Sequence, residues 1–188
     1  IGILGPNGCG KTTTIGMILG LLKPSKGKVL INGISIEDKR VELLNDINFI
    51  SPYIELPKKL SVKQNLEVYG RLYDVANLKS KIEELTERLR LNEIIYKITG
   101  ELSSGQKNRV SLAKSIINNP KVLLLDEPTA SLDPETGDFV RSFLEDYQNE
   151  NRASILLASH NMTEVERLCS SVFMVNKGSI IDQDSPKK

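Results

Sequence analysis

No apolar run in this chain approaches the roughly 20 residues that a helix needs to cross a bilayer; stretches such as 122–125 and 155–158 have the length of strands. The chain is therefore not expected to span a membrane itself. An excess of one charge is lacking too: 25 basic and 24 acidic residues leave a net charge of +1, dispersed along the chain. Without a basic stripe there is no electrostatic footprint for nucleic acid, and no nucleic-acid partner is expected. Cysteine and histidine are scarce, with Cys9, Cys169 and His160 the whole complement. Their spacing offers no metal-ligand set, which argues against a structural metal and for a reducing compartment, the cytosol. No secretory leader pattern, internal repeat or low-complexity segment is visible. The chain opens on Ile1, already inside an apolar strand pattern and without a methionine, so an N-terminally trimmed domain is the expectation.

What is present is a chain of 188 residues, 39% hydrophobic and 26% charged, enough for one globular domain with a real core. A strand is expected over 1–4, then a glycine-rich loop, a helix over 11–22, and a break at Pro24 and Gly27. Apolar runs at 29–31 and 34–36 flank Asn32-Gly33, the pair that a tight hairpin turn with positive φ favours. A strand near 47–50 precedes a long helical pattern over 61–98, in which Leu78, Ile82, Leu85 and Leu89 share a face and Glu84 can pair with Arg88. Beyond it come a helix over 104–117, a strand over 122–125, a helix over 134–147 and a strand over 155–158. Strands alternating with helices imply an α/β fold, a mostly parallel sheet covered on both faces.

Three motifs carry chemistry. Gly5-Pro6-Asn7-Gly8-Cys9-Gly10-Lys11-Thr12 fits G-x-x-x-x-G-K-[ST] between a strand and a helix. Its glycines let backbone N–H groups converge on phosphate oxygens, Lys11 neutralises them, and the Thr12 hydroxyl suits Mg²⁺; Asn7, Gly8, Cys9, Gly10 and Thr13 complete the expected contact set. Cys9 is read as a small filler of which only the backbone is needed, with a redox-sensitive thiol as the alternative. The second motif is a strand over 122–125 that ends in Asp126-Glu127. At the carboxyl end of a parallel strand, Asp126 can hold Mg²⁺ and Glu127 can orient and deprotonate a water, although a merely capped buried strand would look the same. The third is Leu102-Ser103-Ser104-Gly105-Gln106 at a helix start. Ser103 and Gln106 fit a capping box, and the same free N–H groups also make a phosphate site.

Taken together, GPNGCGKT, LSSGQ, LLLDEPTASLD and ASH resemble, in order and spacing, the phosphate loop, signature, acidic strand with D-loop, and switch histidine of ABC ATPases. The resemblance covers essentially the whole chain and implies a phosphate-loop NTPase fold carrying an inserted helical subdomain. It divides residues 1–188 into a core of 1–52 and 107–188 and a helical subdomain of 53–106 that contains the signature. It implies an ATP-hydrolysing subunit of a transporter at the cytoplasmic face of the cell membrane, with ATP and Mg²⁺ bound and a separate transmembrane permease as partner. Two such domains, identical or different, would sandwich the nucleotides. In each pocket Ser103, Ser104, Gly105, Gln106 and Asp133 of one copy would face the Lys11 loop of the other, and ATP-driven closure would power the permease. Lys11, Glu127 and His160 would be catalytic, with His160 at the γ-phosphate and Thr12 and Asp126 at the metal. Asp133 before Pro134 is also a good helix cap, and a lone histidine after a strand is often structural.

The wording of 130–135 and 157–162 is similar to the drug, antibiotic and polysaccharide exporter branch. Alternatives stay open: a soluble ABC ATPase of translation or DNA repair, and a regulatory module with little turnover. The second is prompted by Ser51-Pro52-Tyr53, which stands where the family usually places a glutamine touching Mg²⁺. Proline has no side-chain ligand, so no catalytic role is assigned there. The family's adenine-stacking aromatic would precede Ile1, so the choice of ATP over GTP rests on the resemblance alone.

Overall fold

A computed structural model describes residues 1–52, 54–130 and 132–186. The elements follow in the order β1 (Gly2–Leu4), α1 (Lys11–Ile18), β2 (Leu30–Ile31), β3 (Ile34–Ser35), α2 (Arg40–Asn45), β4 (Ile47–Ile50), α3 (Val62–Leu72) and α4 (Leu78–Arg88). After a 3₁₀ turn at Thr99–Glu101 come α5 (Ser104–Ile116), β5 (Val122–Asp126), α6 (Pro134–Asn151), β6 (Ser154–Ser159), α7 (Met162–Leu168), β7 (Val172–Asn176) and β8 (Ser179–Asp184).

Strands line up as β4-β5-β6-β1-β7-β8, parallel throughout except for the β7–β8 hairpin. Placing β1 between β6 and β7 puts the loop after β1 next to the carboxyl ends of β5 and β6, which is where an open parallel sheet gathers its ligands. Side-chain alternation along β5 then sends apolar residues both ways. Leu123 and Leu125 face a core shared with α5, α6 and α7, through Val110, Ala113, Leu144 and Val165. Leu124 turns to the opposite face and meets Ile15 of α1, Ile47 and Ala158. The sheet is thus covered on both sides, as a continuously apolar strand requires.

The Asn32-Gly33 turn forms as expected, with φ of 51° and 80° between β2 and β3. Helix α1 stops earlier than its pattern promises. Gly20 adopts φ +64°, and the N–H groups of Leu21 and Leu22 both turn back to the Gly16 carbonyl, closing the helix end. The pattern over 61–98 resolves into two helices, because Asp74 and Asn77 enter the left-handed region at φ 53° and 51° and reverse the chain. Its shared face is real: Ile82, Leu85 and Leu89 are buried, Leu78 packs beside Gly70, and Arg88 meets Glu84 at 3.5 Å. These helices join α5 and the sheet in a single apolar cluster that includes Val62, Leu66, Leu85 and Val110. Helices α2 and α7 and the β7–β8 hairpin were not anticipated from sequence.

Candidate functional site

The loop between β1 and α1 owes its shape to three glycines. A β-carbon on Gly5 would lie 2.3 Å from the Val175 carbonyl oxygen and 2.6 Å from Cys9 Sγ, so only glycine lets the loop lean on β7. Gly8 and Gly10 take φ of +78° and +114°, turning the chain so that α1 begins at Lys11 with its first N–H groups unspent within the helix. The β7–β8 turn braces this loop from behind, the Gly178 N–H donating to the Cys9 carbonyl at 2.9 Å. Cys9 itself is buried, and its N–H is engaged by the Pro6 carbonyl. The structure thus uses Cys9 for packing and for the brace.

A cleft of about 320 Å³ opens over this helix start, lined by Asn7, Gly8, Gly10, Lys11, Thr12, Thr13, Asp126 and Glu127. Two sequence motifs 114 residues apart meet in it: the Thr12 hydroxyl donates to Asp126 Oδ2 at 2.8 Å. Lys11, 6% exposed, bends over the loop, donating to the Gly5 carbonyl at 2.7 Å, and its Nζ lies 3.7 Å from Glu127 Oε1. Burial pushes the Asp126 carboxyl above its ordinary range; the Thr12 hydrogen bond pulls the other way, and the neighbouring Glu127 adds to the rise.

Glu127 is held in an unusual backbone state, φ +51°, fixed by its N–H to the Ala158 carbonyl and by the Ala130 N–H to its own carbonyl. A non-glycine residue there costs on the order of 1–3 kcal/mol, a strain that concentrates where geometry matters for function. Its Oε2 accepts from His160 Nδ1 at 2.8 Å. A carboxylate only accepts, so this contact places the imidazole proton on Nδ1. The other oxygen, Oε1, is buried without a hydrogen-bond partner among the described residues. A buried, unsatisfied carboxylate oxygen beside a lysine calls for a donor from the cleft, a role that suits a water. Thr12 and Asp126 offer a compact pair of hard oxygen donors, the chemistry that suits Mg²⁺, which takes few protein ligands and keeps several waters.

The signature residues do not join this cleft within one chain. Ser103 caps α5 in a full capping box: Gln106 N–H donates to Ser103 Oγ at 3.3 Å, and Ser103 N–H donates to Gln106 Oε1 at 3.0 Å. Asp133 caps α6 through the Thr136 N–H at 2.9 Å, which holds its carboxyl below the usual range. The two helix starts adjoin, since a β-carbon on Gly105 would touch the Thr136 side chain at 3.4 Å. A separate cavity of about 310 Å³ links the two regions, running from Ser51 and Pro52 past Ser104 and Leu132 to Glu127. Ser51 thus sits beside the acidic strand's end, whereas Tyr53 lies outside the described residues.

Sequence reasoning missed Ser159, Glu164, Thr129 and Asn108. Asn108 ties α5 to the loop after Glu127 through the Pro128 carbonyl at 2.7 Å. Glu164, 2% exposed, accepts from Ser159 Oγ at 2.7 Å and from Thr129 Oγ1. Burial raises its carboxyl, with Glu127 close by adding to the effect. The one available signal was an acid in the first turn of a helix directly after ASH.

A phosphate loop braced by β7, two acids at the end of β5 and a histidine at the end of β6 define a phosphate-loop NTPase. Residues 1–130 match the ABC transporter family, and the chain belongs to it, as the ATP-binding domain. It is 35% identical over 184 residues to the ABC transporter ATP-binding protein NatA of Bacillus subtilis, covering 96% of this chain and 74% of that protein. It is 37% identical over 188 residues to the Nod factor export ATP-binding protein I of Rhizobium johnstonii, covering 98% of this chain and 60% of that one. The chain thus spans between three fifths and three quarters of these relatives. Among solved structures it resembles a dimeric post-hydrolysis state of the ATP-binding cassette MJ0796 bound to ADP and Pi, with TM-score 0.88, 25% identity, and coverage of 100% of this chain and 85% of that one.

Proposed function

We propose that this chain hydrolyses ATP as one half of a head-to-tail pair of ABC domains, and that the pair's closing and opening drives a separate membrane permease. The observation that carries this reading is the pair of polar contact series at one cleft: Thr12 to Asp126, and Lys11 to Glu127 to His160. Lys11 and the N–H groups at the start of α1 bind the β and γ phosphates. Glu127 Oε1 accepts a proton from the attacking water, while Oε2 holds His160 through Nδ1 at the γ-phosphate side. Mg²⁺ on Thr12 and Asp126 would neutralise charge developing on the transferred phosphoryl group.

The exposed helix starts at Ser103 and Asp133 fit a role in trans. Ser103, Ser104 and Asp133 are exposed and do not line their own chain's phosphate-loop cleft, so a second copy's γ-phosphate would complete the pocket. On this reading 53–106 forms the helical subdomain between core segments 1–52 and 107–188, and the protein works at the cytoplasmic face of the membrane. Export is the direction favoured by the similarity of 130–135 and 157–162 to the exporter branch, together with a relative named for export.

The test is phosphate release with full-length protein. Wild type should hydrolyse ATP, and Glu127→Gln should lower kcat by roughly 10²–10⁴-fold while ATP binding persists, the range for loss of a positioned base. Equal turnover in the two proteins would refute the assignment of Glu127.

A further inference from the structure

The hydroxyl of Ser159, at the end of β6, stands between two acids. It is 2.7 Å from Glu164 Oε2 and 3.5 Å from Glu127 Oε2, and it accepts the Asn161 N–H at 3.0 Å. A serine has one proton to donate, and distance assigns it to Glu164. Glu127 Oε2 is thereby left to His160 Nδ1 at 2.8 Å. The second Glu164 oxygen takes the Thr129 hydroxyl from the segment that follows the acidic strand. One buried carboxylate on α7 therefore fastens the ends of both strands that deliver Glu127 and His160. The charges facing it are Glu127, His160 and Arg141 of α6.

We propose that Glu164 is a positioning residue for hydrolysis: by drawing the Ser159 proton and the Thr129 hydroxyl to itself, it keeps Glu127 Oε2 free for His160 and holds the base aimed at the water. It touches neither nucleotide nor reacting atoms. The inference rests on the reading of Glu127 as the base.

In Glu164→Gln the amide can offer Ser159 an N–H in place of an acceptor. The serine proton then turns to Glu127 Oε2 and competes with His160. The account expects kcat to fall about tenfold with KM and ATP affinity within about twofold, since positioning acts on the transition state rather than on binding. The pH profile of kcat should shift as well. Ser159→Ala, which removes the competing donor together with the tether, should lose only about threefold, and the double variant should match it rather than multiply the two losses, because the groups act as a unit. If Glu164→Gln does not fold, Ser159→Ala alone decides, a lowered kcat at constant ATP affinity supporting the proposal and an unchanged kcat overturning it. Wild-type turnover in Glu164→Gln, losses in binding and kcat that track a lowered melting temperature, or multiplicative losses in the double variant would each overturn it. A wild-type protein that hydrolyses no ATP would instead sink the reading of the site itself.

Discussion

The cleft at the phosphate loop and the paired helix starts at Ser103 and Asp133 are built from the same kinds of residue and behave oppositely. In and behind the cleft, polar side chains reach across long stretches of sequence: Thr12 to Asp126 and Lys11 to Glu127 within it, Thr129 to Glu164 behind it. Lys11, Asp126 and Glu164 are buried, and the pairing depends on the sheet order. At the helix starts the capping side chains of Ser103, Gln106 and Asp133 are spent within three residues, on a capping box and an Asx cap, and Ser103 and Asp133 are exposed. The first region can carry chemistry only once the whole domain has folded. The second is finished locally and still has backbone donors to offer a partner.

That contrast can be broken in order of expected effect, beginning after the turnover variants of Glu127 and Glu164 already described. Gly5→Ala forces a β-carbon onto the Val175 carbonyl at 2.3 Å, backbone against backbone. It should cost roughly 2–3 kcal/mol of stability and weaken ATP binding with it, by overpacking where nothing can yield. Urea unfolding and nucleotide titration would show both losses together. Ser103→Ala should cost about 1 kcal/mol through loss of the cap. ATP affinity of the isolated chain should not change, because Ser103 lies outside the cleft; an altered affinity would dissolve the distinction between the regions.

Asp126→Asn is subtler, and its sign is informative. The Asp126 carboxyl is raised in the folded chain, chiefly by burial. Between its unfolded value and this raised one the folded state holds more protons than the unfolded. Stability therefore declines as pH rises through that window. Asparagine removes the titration, so the nucleotide-free variant should lose part of this pH dependence and melt at or above the wild-type temperature near neutral pH, while Mg²⁺-dependent ATP binding weakens. A variant less stable than wild type at neutral pH would show that Asp126 is held by favourable interactions instead.

The same division explains what could be read from sequence. Local signals survived: Asn32-Gly33 turned, Ser103 and Asp133 capped, Leu78 to Leu89 shared a face, and Glu84 met Arg88. The phosphate loop and the acidic strand were legible because backbone chemistry dictates glycines, a lysine and terminal carboxylates at fixed spacing. Glu164 was not, since its partners lie 5 and 35 residues away and only the adjacency of β5 and β6 unites them. The brace of Gly178 and Val175 behind the loop escaped notice for the same reason: β7 neighbours β1 in space and is far from it along the chain. Two helices were read as one pattern over 61–98 because Asp74 and Asn77 carry no glycine or proline signal, yet both adopt positive φ.

The central claim is that a triphosphate is gripped by Lys11 of one chain and the Ser103 helix start of another. The most direct measurement is the solution mass of Glu127→Gln by light scattering, with and without saturating ATP. The account predicts a monomer that becomes a dimer only with ATP, and that reverts to monomer when Ser104→Glu is added with ATP still bound. A Glu127→Gln protein that binds ATP and stays monomeric, while wild type hydrolyses it, would contradict the shared pocket.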